Sequence, residues 1–375
     1  MKLFNYLLLL LFTLSGCTQG LKTATSNLKD NQWTANKANN WQKNKGWLTG
    51  CNYIPATASN QLEMWQKETF DTVSINRELG LAKSLGFNSV RVFLHDLLWE
   101  QDSTGFINRA EQFLSIAHKH KIGTMFVLFN GVWDPNPKLG KQNTAKPNVH
   151  LSGWVQSPGA ASLVDSASHY KLKNYLKGFV KHFENDKRID AWDIYNDHDN
   201  VTGLAYLGLD PKNKAELSFN LLKKAILWIR EVNPSQPITT SIWLRDLHEE
   251  SKITPADKFI LEASDLISFH NYDGNEIIEQ KINQLKAYNR PILCTEYMAR
   301  GNGSFFEKDL PVLKKYNIGA YNWGLVAGKT QANFPWDSWT KSYTAAPNIW
   351  FHDIFHKDGT PYNESEVEFI RKTTK

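Results

Sequence analysis

The chain has 375 residues, of which 41% are apolar and 22% are charged, and its formal net charge at pH 7 is +5. This apolar content is enough for a large core, and α/β barrels of this length occur as one domain. The positive charge is spread along the chain, so the composition does not indicate nucleic-acid binding. No paired Cys/His spacing suggests a zinc site or a disulfide framework. Cys51 and Cys294 lie in apolar, strand-like runs, where a buried thiol is the expected role.

The N-terminus has the layout of a secretory signal. Lys2 precedes an apolar run over residues 7–12, and a Leu-Ser-Gly sequence leads to Cys17. The run is too short to span a membrane as a helix. The segment resembles a bacterial lipobox, which implies removal of residues 1–16 and a lipid anchor on Cys17, in the cell envelope and facing the periplasm or the cell surface. The alternative is an ordinary signal peptide with an incidental cysteine.

A polar segment follows the signal. Residues 17–45 are rich in Asn, Lys, Thr and Gln and contain few aliphatic side chains. Such a composition is typical of a solvated spacer. We therefore interpret residues 17–45 as a polar tether and expect the folded domain to cover residues 46–375.

From residue 46 onward, short β-branched or aromatic runs alternate with longer segments of helical periodicity. This alternation indicates crossover units around a parallel sheet. Eight such units would close a (β/α)8 barrel, or TIM barrel, and we expect a single domain of this fold. The strand candidates are Trp47–Ile54, Ser89–Leu94, Thr124–Phe129, Ala191–Tyr195, Ile238–Trp243, Leu266–Tyr272, Ile292–Tyr297 and Ala320–Leu325.

The helical segments carry start and stop signals. Asp71 is a candidate N-cap, an apolar stripe follows it, and Gly86 occupies the position expected just past the helix end. Similar stripes over Ala215–Ile229 and Ile277–Tyr288 have charged opposite faces. These segments are predicted to be helices of the outer ring.

Two connections are much longer than a usual strand-to-helix loop, namely Asn130–Ser168 and Val326–Trp350. Loops of that length are commonly functional, and both follow C-terminal strand ends, where barrel enzymes place their active sites. We interpret them as the walls of a cleft, although single tryptophans could instead pin the loops to the barrel. The tryptophans in question are Trp133, Trp154, Trp336, Trp339 and Trp350.

Two of the candidate strands lead into carboxylate side chains. Glu296 directly follows an apolar run, and the fourth strand continues into Asn196 and Asp197. Both carboxylates should project from the C-terminal rim of the barrel. A glycosidase needs such a pair, with one group on each side of the scissile bond. The structural alternative for Glu296 is a salt bridge at the rim.

Further polar or aromatic residues lie at strand ends. They are Arg91 and His95 on the second strand, His270 and Tyr272 on the sixth, and Trp323 on the eighth. Each is weak evidence alone, because a lone histidine is commonly a core residue and Arg91 could be only the ion-pair partner of a carboxylate. Their joint placement predicts one substrate site at the mouth of the barrel.

With these residues the chain resembles clan A glycoside hydrolases, particularly the family 5 cellulase-like barrels and relatives described as xylanases. The resemblance covers about residues 47–362 and rests on SVRVFLH (89–95), WDIYND (192–197), FHNY (269–272), CTEY (294–297) and YNWG (321–324). It implies that Glu296 is the nucleophile, that Asn196 binds the sugar 2-hydroxyl and that Asp197 occupies the acid/base position.

The same resemblance implies supporting roles. Arg91, His270 and Tyr272 would orient Glu296 and tune its charge, and Trp323 would form the floor of the sugar subsite next to the cleavage point. His95 and Trp154 are further candidate substrate contacts. No cofactor motif or metal-ligand spacing is recognisable, so we expect neither a cofactor nor a metal. The expected partner is a polysaccharide or oligosaccharide, and the expected state is a monomer.

One position departs from the family pattern. The family ends the fourth strand with Asn-Glu, commonly followed by Pro, whereas this chain has Asn196-Asp197-His198. The shorter side chain withdraws the carboxyl by about 1.5 Å, while retaining and inverting pairs lie about 5–5.5 Å and about 6.5–9.5 Å apart. Three interpretations stay open: a retaining enzyme with backbone compensation, a slow or inverting enzyme, and a barrel that binds glycans without hydrolysing them.

The substrate stays open as well. Xylan, β-glucan and mannan are all compatible with the sequence, and the basic charge of a cell-surface protein is compatible with an acidic algal polysaccharide such as ulvan. A lyase acting on uronic acids is the remaining alternative, suggested by the positive charge and by His198.

Overall fold

Parallel strands alternate with helices along the chain and form one sheet. The computed structural model describes residues 31–201, 206, 208–243 and 253–375. Within this part of the chain the strands pair in the order β5-β4-β3-β2-β1-β9-β8-β7-β6. Their bounds are β1 (Thr49–Asn52), β2 (Ser89–Phe93), β3 (Gly123–Asn130), β4 (Ile189–Asn196), β5 (Ile238–Thr239), β6 (Ser241–Ile242), β7 (Ile267–Asn271), β8 (Ile292–Tyr297) and β9 (Gly319–Trp323).

The fifth barrel position is divided between two short strands. β5 pairs with β4 through Ile238 and Thr239, and β6 pairs with β7 through Ser241 and Ile242. Because only Thr240 separates β5 from β6, one continuous segment closes the sheet. The predicted (β/α)8 barrel is therefore confirmed. Each strand candidate overlaps an observed strand, and the candidate Ile292–Tyr297 has the same bounds as β8.

Helices cover the outside of the barrel. They are α1 (Ala35–Lys45), α2 (Gln61–Trp65), α3 (Thr72–Ser84), α4 (Asp96–Lys119), α5 (Ala160–Val164), α6 (His169–His182), α7 (Lys214–Val232), α8 (Pro255–Ala263), α9 (Asn275–Leu285), α10 (Phe306–Lys315) and α11 (Glu364–Thr374). Asp71 caps α3 by accepting from the amides of Val73 and Ser74, and Gly86 has a φ of +85°. Both predicted boundary signals are therefore confirmed, and the two predicted outer-ring stripes lie in α7 and along α9 with the turn that follows it.

The strands are buried on both faces. One face packs against the helices in an apolar shell, and the other face points into a polar interior. Phe126 on β3 faces the helices and contacts the rings of Phe113 and Phe179 at centroid distances of 6.4 and 5.8 Å. Polar residues such as Arg91 and Asp193 point inside the barrel and are fully buried. This interior polarity positions the candidate site, because buried charged groups must find partners there.

Residues 31–45 belong to the folded domain, which corrects the predicted tether boundary at residue 45. Trp33 is buried, and its amide donates to Asp265 Oδ1 at 2.8 Å. Trp33 and Ala38 pack together with side chains toward the N-terminal ends of the strands, namely Leu48, Met125, Ala191, Leu266, Leu293 and Tyr321. Polar composition was a poor guide here, because one buried tryptophan and hydrogen bonds to the barrel hold the segment.

Residues 1–30, with the predicted signal peptide and Cys17, lie outside the described residues. Among the helices that the structure does describe, none combines the length and apolar character needed to cross a membrane.

Candidate active site

The C-terminal ends of the strands surround a cavity of about 380 Å³. Glu296 on β8 and Asp197, which directly follows β4, both line this cavity. The structure therefore brings together the two carboxylates predicted from the sequence. The other predicted site residues that line the cavity are Asn196, His270, Tyr272, Trp323 and Trp154.

Arg91 lies inside the barrel below the cavity, where its guanidinium binds several polar side chains of the site. Its Nε and Nη2 atoms donate to Asp193 Oδ2 at 3.0 and 2.8 Å. Nη1 donates to Glu296 Oε1 at 2.8 Å and to Asn52 Oδ1 at 2.7 Å, and Nη2 also donates to Asn196 Oδ1 at 2.7 Å. Arg91 is thus the ion-pair partner of two carboxylates, and it orients Glu296 and Asn196 from below.

Glu296 has a donor on each carboxylate oxygen. Arg91 reaches Oε1, and the hydroxyl of Tyr272 donates to Oε2 at 2.7 Å. Strand register places His270 of β7 beside Glu296 of β8, with 3.6 Å between His270 Nε2 and Glu296 Oε1. Charge-assisted bonds of this kind fix a carboxylate in place and stabilise its negative charge.

Asp197 enters the cavity through an unusual backbone conformation. Its φ is +43°, in the left-handed region that non-glycine residues rarely occupy. The neighbouring Gly131 permits this turn, since a Cβ at residue 131 would lie 2.2 Å from the carbonyl oxygen of Asp197. The amide of Gly131 donates to the carbonyl of Asn196 at 2.8 Å. The carboxyl of Asp197 thereby comes within 3.1 Å of His270 Nδ1.

A buried lysine holds the turn that carries Asp197. Lys214, at the start of α7, is fully buried, and its ammonium donates to the carbonyls of Gly131 and Asn200 at 2.7 and 2.6 Å. It also forms an ion pair with Asp210 Oδ1 at 2.9 Å. The three ammonium protons are therefore satisfied by the loop after β3 and by the loop after β4, which carries Asp197.

The carboxyls of Asp197 and Glu296 lie in different electrostatic surroundings. Burial raises the pKa of Asp197 to about 7, although the positive charge of Arg91 opposes the rise. Burial lowers the pKa of His270 to about 4 despite the charge of Glu296, so this imidazole is neutral at pH 7. One carboxyl can therefore keep its proton near neutral pH, while the other is held by a guanidinium. Two carboxyls in such different surroundings can serve one as an acid and the other as a nucleophile.

Loop tryptophans divide into two groups. Trp133, Trp154 and Trp336 line the cavity together with Trp323. Trp339 stacks on Trp133 behind the lining, at a centroid distance of 5.4 Å. Trp350 stacks on Tyr362 at 4.8 Å, away from the cavity, so here the loop-pinning interpretation applies.

His95 does not line the cavity. It is the N-cap of α4, where its Nδ1 accepts from the amide of Leu97 at 3.2 Å. Cys51 and Cys294 are buried free thiols, in agreement with the sequence-based prediction. No group of three or more His, Cys, Asp or Glu side chains could hold a metal ion within the described ranges.

Sequence reasoning missed several residues that build the site. Asp193 and Asn52 share the Arg91 guanidinium with Glu296, and Asn130 Oδ1 accepts from Asn196 Nδ2 at 3.1 Å. Asn52 and Asp193 are strand residues that are fully or almost fully buried. Their charged or amide side chains inside apolar strands could have identified them as site residues. Lys214 was harder to recognise, since its ammonium binds the carbonyls of Gly131 and Asn200 as well as Asp210, and only the folded loops bring these partners together.

The raised pKa of Asp197 predicts a stability gain for Asp197→Asn. The folded pKa of about 7 lies above the ordinary value of 3.8, so stability present below about pH 4 is lost as the pH rises through 7. Asparagine has no charge to bury, so the variant should avoid this loss. Above pH 7 its free energy of unfolding should exceed that of the wild type by at most about 4 kcal/mol. Denaturant unfolding of both proteins near pH 4 and pH 8 measures the effect. An equal stability difference at the two pH values would contradict the raised pKa.

No family model matches the chain, and no curated protein matches it. Solved structures do match. An exo-β-1,4-mannosidase from Opitutaceae bacterium strain TAV5 is 18% identical with a TM-score of 0.56, and the match covers 88% of this chain and 60% of the mannosidase. The β-mannanase of the blue mussel Mytilus edulis is 18% identical with a TM-score of 0.52, covering 81% and 94% of the two chains.

The endo-1,4-β-D-mannanase of Thermotoga petrophila RKU-1 is 14% identical with a TM-score of 0.54, covering 87% of this chain and all of the mannanase. The present chain thus spans less than two thirds of the mannosidase but most or all of the two mannanases. At these identities the likeness establishes the fold, which is the (β/α)8 barrel of these glycoside hydrolases.

Proposed function

We propose that the protein is a retaining β-glycoside hydrolase, with Glu296 as the nucleophile and Asp197 as the acid/base. The observation that carries this proposal is the pair of carboxyls in one cavity, with Glu296 held by Arg91 and Tyr272 and Asp197 raised to a pKa of about 7. A general acid works best when its pKa lies near the operating pH.

The two carboxyls divide the chemistry between them. Asp197 gives its proton to the glycosidic oxygen as the bond from that oxygen to the anomeric carbon breaks, and Glu296 forms an ester with the same carbon. Water then attacks the anomeric carbon, Asp197 takes a proton from it, and Glu296 leaves as a carboxylate. His270 lies between the two groups and is neutral at pH 7, so it adds no charge to the site.

The substrate class that we propose is a β-1,4-linked mannan or manno-oligosaccharide. Mannan is one of the polysaccharides compatible with the sequence, and the names of the three structural neighbours described above all refer to β-mannosides. Trp323 and Trp133 supply aromatic surface in the cavity, on which the apolar face of a sugar ring can stack.

A polysaccharide panel tests this proposal. Purified protein is incubated with mannan, xylan, β-glucan and ulvan, and products are followed by reducing-sugar release and by mass spectrometry. The expected result is hydrolysis of mannan or its oligosaccharides to saturated products. Unsaturated uronic products would indicate a lyase, and preferential cleavage of another glycan would overturn the mannan assignment.

We also propose that Cys17 anchors the protein to a bacterial membrane through a lipid. The support is the lipobox-like sequence that precedes this cysteine. Cys17→Ser is expected to move the protein from the membrane to the soluble fraction and to abolish metabolic fatty-acid labelling. Cys51→Ser is a suitable control, since this cysteine is buried in β1 and should not affect the label. Equal labelling of Cys17→Ser and wild type would refute the anchor.

A further inference from the structure

The long loops after β3 and β9 are tied to each other above the barrel. Backbone and side-chain hydrogen bonds join them, among them four of 2.8 to 3.0 Å: Leu151 N to Thr330 O, His150 N to Ser338 Oγ, Asn148 Nδ2 to Tyr343 O, and Gln331 Nε2 to Lys146 O. We call residues 131–157 and 330–343 together the loop wall. Since β9, β1, β2 and β3 are consecutive in the sheet, the wall encloses one side of the barrel mouth.

Aromatic contacts extend the wall toward β4. Trp133 stacks on Trp339 with an interplanar angle of 27°, and Tyr206 meets the edge of Trp339 at a centroid distance of 5.8 Å. The hydroxyl of Tyr206 donates to the carbonyl of Ser152 at 3.4 Å. A residue from the connection after β4 thus joins the same structure.

The loop after β1 supports the wall from outside the cavity. Asn60 Nδ2 donates to the carbonyl of Gly153 at 2.8 Å, and Gln61 Nε2 donates to that of Val155 at 3.1 Å. Asn60 and Gln61 are almost fully buried. The wall is therefore held from both sides, and an incoming glycan could not displace it without exposing these groups unpaired.

The wall stands directly beside Trp323, the proposed sugar platform. Trp154 meets the edge of Trp323 at 5.8 Å and is only 1% exposed. Leu151 packs in the same apolar cluster and also lines the cavity. A sugar ring on Trp323 would therefore lie directly against the wall.

From this geometry we infer that the protein acts on chain ends: it accepts the non-reducing terminal sugar on Trp323 and releases one sugar at a time. The inference rests on the proposed function and on the position that the family resemblance implies for Trp323, in the sugar subsite next to the cleavage point. A subsite closed on one side matches short oligosaccharides and free chain ends, whereas a polymer cut at internal bonds needs a groove open on both sides.

Product patterns test the inference. Mannohexaose labelled at its reducing end is expected to shorten by one sugar per step, with free mannose as the first product. The viscosity of soluble mannan should fall slowly relative to sugar release. Early labelled products of intermediate length, together with a rapid fall in viscosity, would overturn the inference while leaving the glycosidase proposal intact.

Binding provides a test that does not depend on turnover. The inactive variant Glu296→Gln is titrated calorimetrically with mannotriose and with mannotriose blocked by a methyl group at the 4-hydroxyl of its non-reducing sugar. At least a tenfold weaker affinity is expected for the blocked ligand. Equal affinities would refute the chain-end inference, even if the wild type hydrolysed nothing and the glycosidase proposal failed.

A pair of tryptophan variants tests the wall itself. Trp339→Ala removes the stack that joins the loops, and it is expected to raise cleavage of the blocked oligosaccharide at least tenfold relative to the unblocked one. Trp350→Ala is the matched control, because it removes a stacked tryptophan from the same connection but away from the cavity. The same change in both variants, or in neither, would contradict the role assigned to the wall.

Discussion

Glu296→Gln is expected to lower the turnover of manno-oligosaccharides by at least about 10⁴-fold, because it removes the nucleophile while preserving size. Glutamine can still accept a hydrogen bond from Arg91 through its carbonyl oxygen. The fold and sugar binding should therefore change little. Initial rates, together with calorimetric binding of mannotriose, separate the loss of chemistry from a loss of affinity.

Glu78→Gln is the matched control for this variant. Glu78 is also a fully buried carboxylate, but it lies in α3 and bonds to the hydroxyl of Tyr53 and the amide of Ala56. Its replacement should change stability and leave the rate per folded molecule close to that of the wild type. Near-normal hydrolysis by Glu296→Gln would overturn the nucleophile assignment.

Asp197→Asn is expected to slow natural oligosaccharides by about 10²- to 10⁴-fold, which is the usual contribution of a general acid. Dinitrophenyl glycosides should form the glycosyl-enzyme almost as fast as with wild type, since their leaving group needs no proton. For the wild type, kcat/KM on oligosaccharides should fall above about pH 7, because Asp197 loses its proton there. This alkaline limb should be absent from the variant acting on the aryl substrate.

Asp199→Asn is the control on the same turn. Asp199 accepts from the indole of Trp243 at 2.7 Å, and its replacement should leave the dependence on the leaving group unchanged. Asp197→Glu adds the missing methylene and should keep or raise activity in a retaining enzyme, whereas an inverting enzyme would lose the space for its water. If Asp197→Asn cleaved polysaccharide as fast as wild type, Asp199 or His198 would become the candidate acid.

The barrel and the position of Glu296 at its mouth could be predicted because local signals and tertiary structure agree there. Ile292–Tyr297 is an apolar run that ends in a charge, and parallel strands in a barrel send such residues to one mouth. Asp71 marks the start of α3 through its side chain, which accepts from two amides of the first turn, and Gly86 marks the end through its positive φ. Features of this kind depend on a few neighbouring residues, so one sequence is enough to recognise them.

Other features depend on residues far apart in the chain. The left-handed backbone of Asp197 requires the missing side chain of Gly131 and the ammonium of Lys214. The split at Thr240 follows from pairing with two different strands. Trp33 lies at the base of the barrel because Asp265 accepts its amide, which the polar composition around it did not indicate.

Trapping of the covalent intermediate tests the central assignment most directly. A 2-deoxy-2-fluoro-β-mannosyl fluoride should inactivate the enzyme with time, since the 2-fluorine slows both formation and hydrolysis of the ester, while the good leaving group speeds its formation alone. Peptide mapping by mass spectrometry is expected to show one fluoromannosyl group on Glu296. A label on another carboxylate, or continued hydrolysis of oligosaccharides with inverted anomeric configuration and no label, would contradict the account.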